Sequence, residues 1–446
     1  MAPPHRASRT TLSADAAALR RYVEAGTALI APLRKAARHT QAWEAARTVG
    51  DALRSARLEF ARAHAAYLYA ILTDDYRRFL RVDELCYLAA ERYPGLVPTA
   101  AQVGAERELP QKDKLEGLEE DQGILLWKIF DDPLAGSHLI HAMQRPKRES
   151  LERLDDFRAT GEADLGVVHV SRKGKAGFVE IRNLRYLNAE DNAATAALET
   201  GVDLVLLHPE IEVGVLRGGI VEHPKHAGRR IFQAGANLTA LYHGKMGLIE
   251  FFLDRELGYI NKIYRGLSSE TWIAGESPVS NEKPWIAAVE AFAIGGGCQN
   301  TLVCDRVLCE QGSYFTLPAR QEGFLPGAGN LRLTRLAGPR LARQAILFGR
   351  ALHAGSPETV DLCDEVVPPG EMDDAIGRAV AELTESGAVS VAAQRRAIRA
   401  GTETLDVFRQ YLALYSREQA LCLYSDGLIA NLESYWKADR RRLVRP

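Results

Sequence analysis

No C-x-x-C pair occurs among the six cysteines of this 446-residue chain. So few thiols in so long a sequence make a disulfide framework the wrong expectation. Cys86, Cys298, Cys304, Cys309, Cys363 and Cys422 read as reduced, mostly buried thiols. No stretch approaches the ~18 uninterrupted apolar residues of a membrane helix. The N-terminus, MAPPHRASRTTLSADAAA, lacks the apolar run that a signal peptide needs. The expected compartment is therefore reducing and soluble, the cytoplasm. Charge of one sign is not in excess either: 56 Lys and Arg stand against 58 Asp and Glu, a formal net charge of −2. That excludes a global attraction to nucleic acid or an anionic membrane, so any polyanion must be gripped by a local site. No G-x-G-x-x-G follows a strand, and GAGN at 327–330 lacks the third glycine, so the dinucleotide fingerprint is absent.

What is present is ordinary globular composition, 46% apolar and 26% charged, with enough chain for two or three domains. The sequence predicts a helical N-terminal domain over 1–160. One apolar stripe runs Leu19, Tyr22, Val23, Leu29, Ile30, Leu33, with Pro32 ending the helix. A second runs Val49, Leu53, Ala56, Phe60, Ala63, Tyr67, Ala70 in alternating steps of four and three. TDDYRRFLRVDELCYLAAERYPG reads as another helix, and GAERELPQKDKLEGLEEDQG as loop. Over 161–368 strand and helix patterns alternate, and β-rich runs end in glycines. An α/β core follows. Asn188 is read as the cap of a helix over NAEDNAATAALETGVDLVLLH, and LIEFFLDRELGYINKIYRGL as one long amphipathic helix. The remaining 369–446 reads as helices that serve oligomerisation, closing on the solvated basic tail KADRRRLVRP.

Two segments carry chemistry: IFQAGANLT at 231–239 and AIGGGCQN at 293–300. Each is a β-rich run that ends in small residues and feeds a helix. Backbone N–H groups at such a junction have no partner within the helix, and glycine lets the backbone approach a ligand. Two such junctions facing each other make an oxyanion hole.

These pieces, with RNLRYLNAEDNAAT, VGVLRGG, KPWIAAVEAFAIGGGCQN, CDRVLCEQGSYFTLP and LPGAGNLRLTRLAG, resemble the crotonase (enoyl-CoA hydratase/isomerase) superfamily in order and spacing. The resemblance implies a spiral of ββα units that binds an acyl-coenzyme A. It implies thioester-oxygen donors at the N–H groups of Ala236 and Gly296. It also implies coenzyme A contacts at Arg185, Leu187, Ala234, Asn237 and Leu238, with Lys225 on a phosphate. Hydratases of the superfamily use two glutamates, and here those positions hold Gln299 and Ala319. An amide and a methyl do not exchange protons with water at neutral pH, so ordinary hydration is not expected.

The long helical extension and the loss of both glutamates are similar to one branch of that superfamily, the cofactor-independent dioxygenases of glycopeptide-antibiotic pathways. That branch implies conversion of 3,5-dihydroxyphenylacetyl-CoA and O₂ to 3,5-dihydroxyphenylglyoxylate and free CoA, without metal or flavin. Coenzyme A enters only as part of the substrate. Glu190, Arg255 and Gln299 are the expected contacts of the ring hydroxyls. The sequence names no base for the α-proton. His208-Pro-Glu210 with His223 or His226 imitates a metal triad, but short motifs match often by chance, and no metal is expected. Rival readings are an isomerase or thioester hydrolase with Glu190 as base, and an inactive CoA-binding scaffold. The resemblance also implies a homohexamer built from trimers. The apolar-striped EQALCLYSDGLIANLESYW, which needs a covering surface, points the same way.

Overall fold

The computed structural model describes residues 9–275, 280–385 and 387–441. It contains two compact units. The first joins 1–143, 239–250 and 405–446; the second joins 144–238 and 251–404. The boundaries thus differ from 1–160, 161–368 and 369–446, and packing explains each difference. The helix Arg148–Thr160 belongs to the α/β unit because Leu154 and Phe157 enter its core. The segment 239–250 belongs to the helical unit, where the Leu248 N–H donates to Glu119 at 3.1 Å and the Tyr242 hydroxyl to Glu433 at 2.7 Å.

The helical unit starts with Arg9–Ile30, which passes into a short 3₁₀ turn at Ala31–Leu33 around Pro32. Gln41–Leu72 follows, capped by Thr40, whose side chain accepts from the Trp43 N–H. Its buried face keeps Leu53 and Phe60 but then moves to Ala61, Ala65, Leu68 and Tyr69, leaving Ala63 exposed. A 3.6-residue turn drifts away from a strict four-three repeat. The next helix starts at Val82 rather than Thr73, and the segment 104–123 expected as loop begins inside the helix Ala100–Arg107, which opens on a Thr99–Gln102 capping box, and ends inside the helix Glu119–Asp131.

Leu405–Leu423 lays Phe408, Leu412, Tyr415 and Ala420 into the same unit. Gly123, on Glu119–Asp131, lets that helix approach: a Cβ there would sit 2.7 Å from the Ser416 carbonyl oxygen. The C-terminal stripe is therefore covered by its own chain, which removes the sequence argument for a neighbouring subunit at that place. Gly123→Val should cost about 1–3 kcal/mol by overpacking, read as a lower urea midpoint at unchanged slope.

The second unit is built on a seven-stranded sheet in the order Glu162–Asp164, Val168–Lys173, Ala176–Ile181, Val213–Gly218, Trp285–Val289, Arg306–Glu310, Glu365–Val367. The first three strands are antiparallel and the rest run parallel. Side chains alternate between its faces. Val213, Val215, Ile286 and Ala288 meet Met372, Ala375, Ile376 and Ala379 of the helix Met372–Glu385. Leu216, Ala287 and Val289 face the main core with Trp285 and Phe232. The helix Met372–Glu385 thus covers this chain's own sheet, whereas the residues after about Pro369 were expected to pack on an adjacent subunit. Gly214 is required beside Trp285, whose ring would lie 2.4 Å from a Cβ there.

A second, smaller sheet holds Phe292–Ile294, Tyr314–Thr316 and Leu352–His353. Each turn of the chain lays one strand in the large sheet, one in the small sheet, then a short helix. Trp285–Val289, Phe292–Ile294 and Gly296–Thr301 make one such turn; Arg306–Glu310, Tyr314–Thr316 and Ala319–Glu322 make the next. This is the ββα spiral. Parallel bridges continue the small sheet outward, Gln233 to Ala293 and Glu190 to Ala236.

Candidate active site

Those bridges bring the two glycine junctions together. The Ile294 N–H donates to the Gln233 carbonyl at 3.0 Å and the Gln233 N–H to Phe292 at 3.3 Å. A Cβ on Gly235 would lie 3.2 Å from the Gly296 nitrogen and 2.9 Å from the Ile294 oxygen. Gly235 has φ +80 and Gly295 φ +53, conformations that favour glycine. Ala236 is held from both sides through Glu190, whose N–H donates to Gly235 at 2.7 Å and whose carbonyl accepts from Asn237 at 2.6 Å. Among the described residues, neither the Ala236 N–H nor the Gly296 N–H has an acceptor. Two donors are thus left open at adjoining junctions, the arrangement that stabilises an oxyanion.

Beneath them lies a buried polar cluster centred on Arg255. Its guanidinium pairs with Glu190, and donates to Glu256 at 2.8 Å, to Gln299 at 2.6 Å and to the Gly296 carbonyl at 2.8 Å. Glu190 also accepts from Gln233, from the Tyr259 hydroxyl at 2.6 Å and from Asn300 at 3.3 Å. Glu256 in turn accepts from the Ala328 N–H at 3.0 Å. Glu190 is fully buried. Burial opposes the Arg255 charge, but Glu190, Tyr259 and Glu256 outweigh it and hold the guanidinium well above its ordinary range. Burial together with Glu190 pushes the Tyr259 phenol up.

The three expected ring contacts, Glu190, Arg255 and Gln299, therefore stand in one cluster, bonded through Arg255 rather than separate. Gln233, Glu256, Tyr259 and Asn300 complete it; Glu256 is the neighbour in sequence that an ion pair of Arg255 would use, whereas Gln233, Tyr259 and Asn300 were not singled out from the sequence. Tyr259 sits four residues after Arg255, a spacing that was a usable signal. It was hidden because the supposed long helix is broken. A π-helical turn at Leu248–Leu253 leads into Asp254–Leu257, and the chain restarts at Tyr259–Arg265 after Gly258. A Cβ on Gly258 would lie 2.4 Å from the Asp254 carbonyl. π-helical turns of this kind occur often at functional sites.

Two of the residues expected to hold coenzyme A, Leu187 and Ala234, are paired beside the first junction. Leu187 follows the 3₁₀ turn Leu184–Tyr186 with φ +56, and its carbonyl accepts from the Ala234 N–H at 3.1 Å. Asn188 has φ +58 and ties Gly219 to Ile231 through its amide, so it is a brace. The helix Asn192–Leu207 is capped instead by Asp191. The Asn237 amide donates to Asp191 at 3.4 Å, and Leu238 opens the next short helix. Arg185 and Lys225 are exposed, Lys225 in a turn whose N–H donates to His223. Glu210 pairs with Arg172, and its N–H donates to His208. Among the described residues, no three of His, Cys, Asp and Glu gather as metal ligands, and no helix is long and apolar enough to cross a membrane.

A spiral of ββα turns carrying two open N–H groups at glycine junctions defines an acyl-thioester enzyme fold, and the chain belongs to the enoyl-CoA hydratase/isomerase (crotonase) family. The family model described as enoyl-CoA hydratase/isomerase matches residues 260–420. The (3,5-dihydroxyphenyl)acetyl-CoA 1,2-dioxygenase of Amycolatopsis orientalis is 46% identical over 398 residues, 89% of this chain and 90% of that protein. A short-chain-enoyl-CoA hydratase of Clostridium acetobutylicum is 28% identical over 54% of this chain and 84% of its own. In fold, the crystal structure of an enoyl-CoA hydratase from Mycobacterium avium subsp. paratuberculosis K-10 matches with a TM-score of 0.50 at 20% identity, covering 61% of this chain and all of that one.

Proposed function

We propose that this chain is a dioxygenase that converts 3,5-dihydroxyphenylacetyl-CoA and O₂ to 3,5-dihydroxyphenylglyoxylate and free CoA, using no metal and no organic cofactor. The observation that carries the reading is the open N–H pair of Ala236 and Gly296, set above a cluster that holds Gln299 where a hydratase has a carboxylate. The Amycolatopsis relative supports it by the activity in its name.

The chemistry balances without a further oxidant. Loss of one α-proton leaves an electron pair in an enolate, whose oxygen the two N–H groups hold. The enolate spreads over thioester and ring and gives one electron to O₂. The resulting superoxide and carbon radical combine at Cα. The distal peroxide oxygen attacks the thioester carbon, the C–S bond breaks, and the CoA thiolate takes up the first proton. The O–O bond of the cyclic peroxide then breaks as the second Cα–H is lost, leaving a keto group and a carboxylate. Each new oxygen comes from the same O₂. Glu190, Arg255 and Gln299 orient the ring hydroxyls. Gln299 offers its Nε2, since Arg255 holds its Oε1. Glu190 is ill suited to be the base of an isomerase or hydrolase, because its oxygens already receive Arg255, Gln233, Tyr259 and Asn300. Arg185, Leu187, Lys225, Ala234, Asn237 and Leu238 hold coenzyme A.

Within this reading the enzyme is cytoplasmic, supplies the keto-acid precursor of dihydroxyphenylglycine for vancomycin-type glycopeptides, and works as a homohexamer. Exposed Leu336, Leu347, Phe348 and Val360 on the α/β unit support an assembly. Sedimentation showing a fully active monomer would overturn the hexamer. An oxygen electrode with 3,5-dihydroxyphenylacetyl-CoA tests the reaction itself. Uptake of one O₂ per CoA released, unchanged after chelator treatment, is expected. Under ¹⁸O₂ the product should carry two labelled oxygens. Thioester turnover without O₂ uptake, or one new oxygen drawn from water, would refute the route.

A further inference from the structure

Glu322 is a carboxylate that the arrangement above leaves unused. It ends the short helix Ala319–Glu322, and the strand Tyr314–Thr316 fixes that helix beside the second glycine junction. Tyr314–Thr316 runs parallel to Phe292–Ile294, with Thr316 opposite Ile294, and the Gly295 N–H donates to the Thr316 carbonyl at 2.8 Å. The Pro318 carbonyl accepts from the Glu322 N–H at 3.1 Å, and Gly323 closes the turn with φ +90. The consequence is a close approach. The two carboxylate oxygens lie 3.8 and 4.0 Å from where a Cβ on Gly295 would be, one residue before the Gly296 donor. Among the described residues, neither oxygen has a hydrogen-bond or ion-pair partner. Glu190 and Glu256 are committed to Arg255, and Asp191 accepts from the Ala194 N–H and the Asn237 amide.

We propose that Glu322 is the base that takes the α-proton of the thioester substrate. In that step the Cα–H bond breaks, the proton passes to a Glu322 carboxylate oxygen, and the electron pair moves into the enolate held by Ala236 and Gly296. Gly295 has no side chain of its own to stand between the carboxylate and the junction. Burial alone pushes the Glu322 carboxyl up to about 7, which suits a base working near neutral pH. No charged neighbour contributes to that shift. The facing segments are backbone at Gly235 and Gly295, and Arg320 on its own helix donates to the Leu347 carbonyl.

The inference rests on the enolate reading, and the experiment separates the two. Wild type, Glu322→Gln and Glu322→Asp are compared for O₂ uptake. They are also compared under argon for substrate binding and for α-hydrogen exchange in D₂O. The Gln variant should lose about 10²–10⁴-fold in kcat and in exchange together, while its anaerobic Kd stays within about threefold. The wild-type rate should rise with pH through about 7, because the base acts ionised, and the residual rate of the Gln variant should lack that limb. The Asp variant draws the carboxylate back by about one bond and should keep the limb at about 10–10²-fold lower rate. A Gln variant that exchanges and turns over at the wild-type rate would overturn the proposal, as would one that loses only binding or keeps the limb. If the Gln variant does not fold, an Asp variant with wild-type exchange overturns it equally. Wild-type exchange without O₂ uptake would remove the dioxygenase reading, and the exchange rates of the variants would still decide the base.

Discussion

Arg255→Ala should lose about 3–5 kcal/mol of folding stability, because removing one partner of a buried pair strands the other charge. Here it strands two. Glu190 and Glu256 are 0% and 2% exposed, and both depend on the guanidinium. The Gly296 carbonyl also loses its donor, so the second junction loosens where its N–H must aim. Lysine will not substitute, because a point ammonium cannot serve four acceptors in a plane as the guanidinium fork does. The double variant Arg255→Met, Glu190→Gln should regain much of the stability and none of the turnover. Urea titrations measure both changes, and an Arg255→Ala gap under about 1 kcal/mol would show that the cluster does not depend on its cation.

How much of this was legible in the sequence depends on range. The two junctions were, because each is a local signature in which small residues end a β-rich run. The alternation of strands and helices over the core was legible for the same reason. Their convergence is not local. It comes from the bridges Gln233 to Ala293 and Glu190 to Ala236, which only the spiral creates. Glu190, Arg255 and Gln299 could be singled out one at a time, but their shared guanidinium required three distant turns of chain in one place. Gly258 shows how a single residue misleads. The apolar pattern of 248–267 continues through it, while the backbone does not. The C-terminal stripe was read correctly as a buried face and wrongly as another subunit's. An amphipathic helix says that it needs a cover, not which chain supplies it. Glu322 carried no signal at all, since its meaning lies in a contact with Gly295, which has no side chain to pattern.

The sharpest catalytic loss should come from a single methyl group. Gly235→Ala places a Cβ at a residue with φ +80, where an L side chain is strained by roughly 1 kcal/mol. The larger effect is steric. That Cβ would meet the Ile294 carbonyl at 2.9 Å and the Gly296 nitrogen at 3.2 Å. Both contacts are backbone, so no side chain can swing away. The two junctions must separate, or the methyl must cover the Gly296 N–H. Either outcome removes one donor from the oxyanion pair, which is worth about 10²–10³-fold in kcat. Enolate formation and O₂ uptake should fall together, because both require the same charge on the thioester oxygen. Binding of free coenzyme A should change far less, since it lacks the thioester oxygen that the Gly296 N–H serves. Gly297→Ala is the informative comparison. Its Cβ would meet Gln233 at 2.8 Å on the packed side of the same helix, so it should lower stability more than the chemical step. Equal kcat losses in the two variants, at equal loss of stability, would show that the junction responds to general disorder and that its two N–H groups hold no oxyanion.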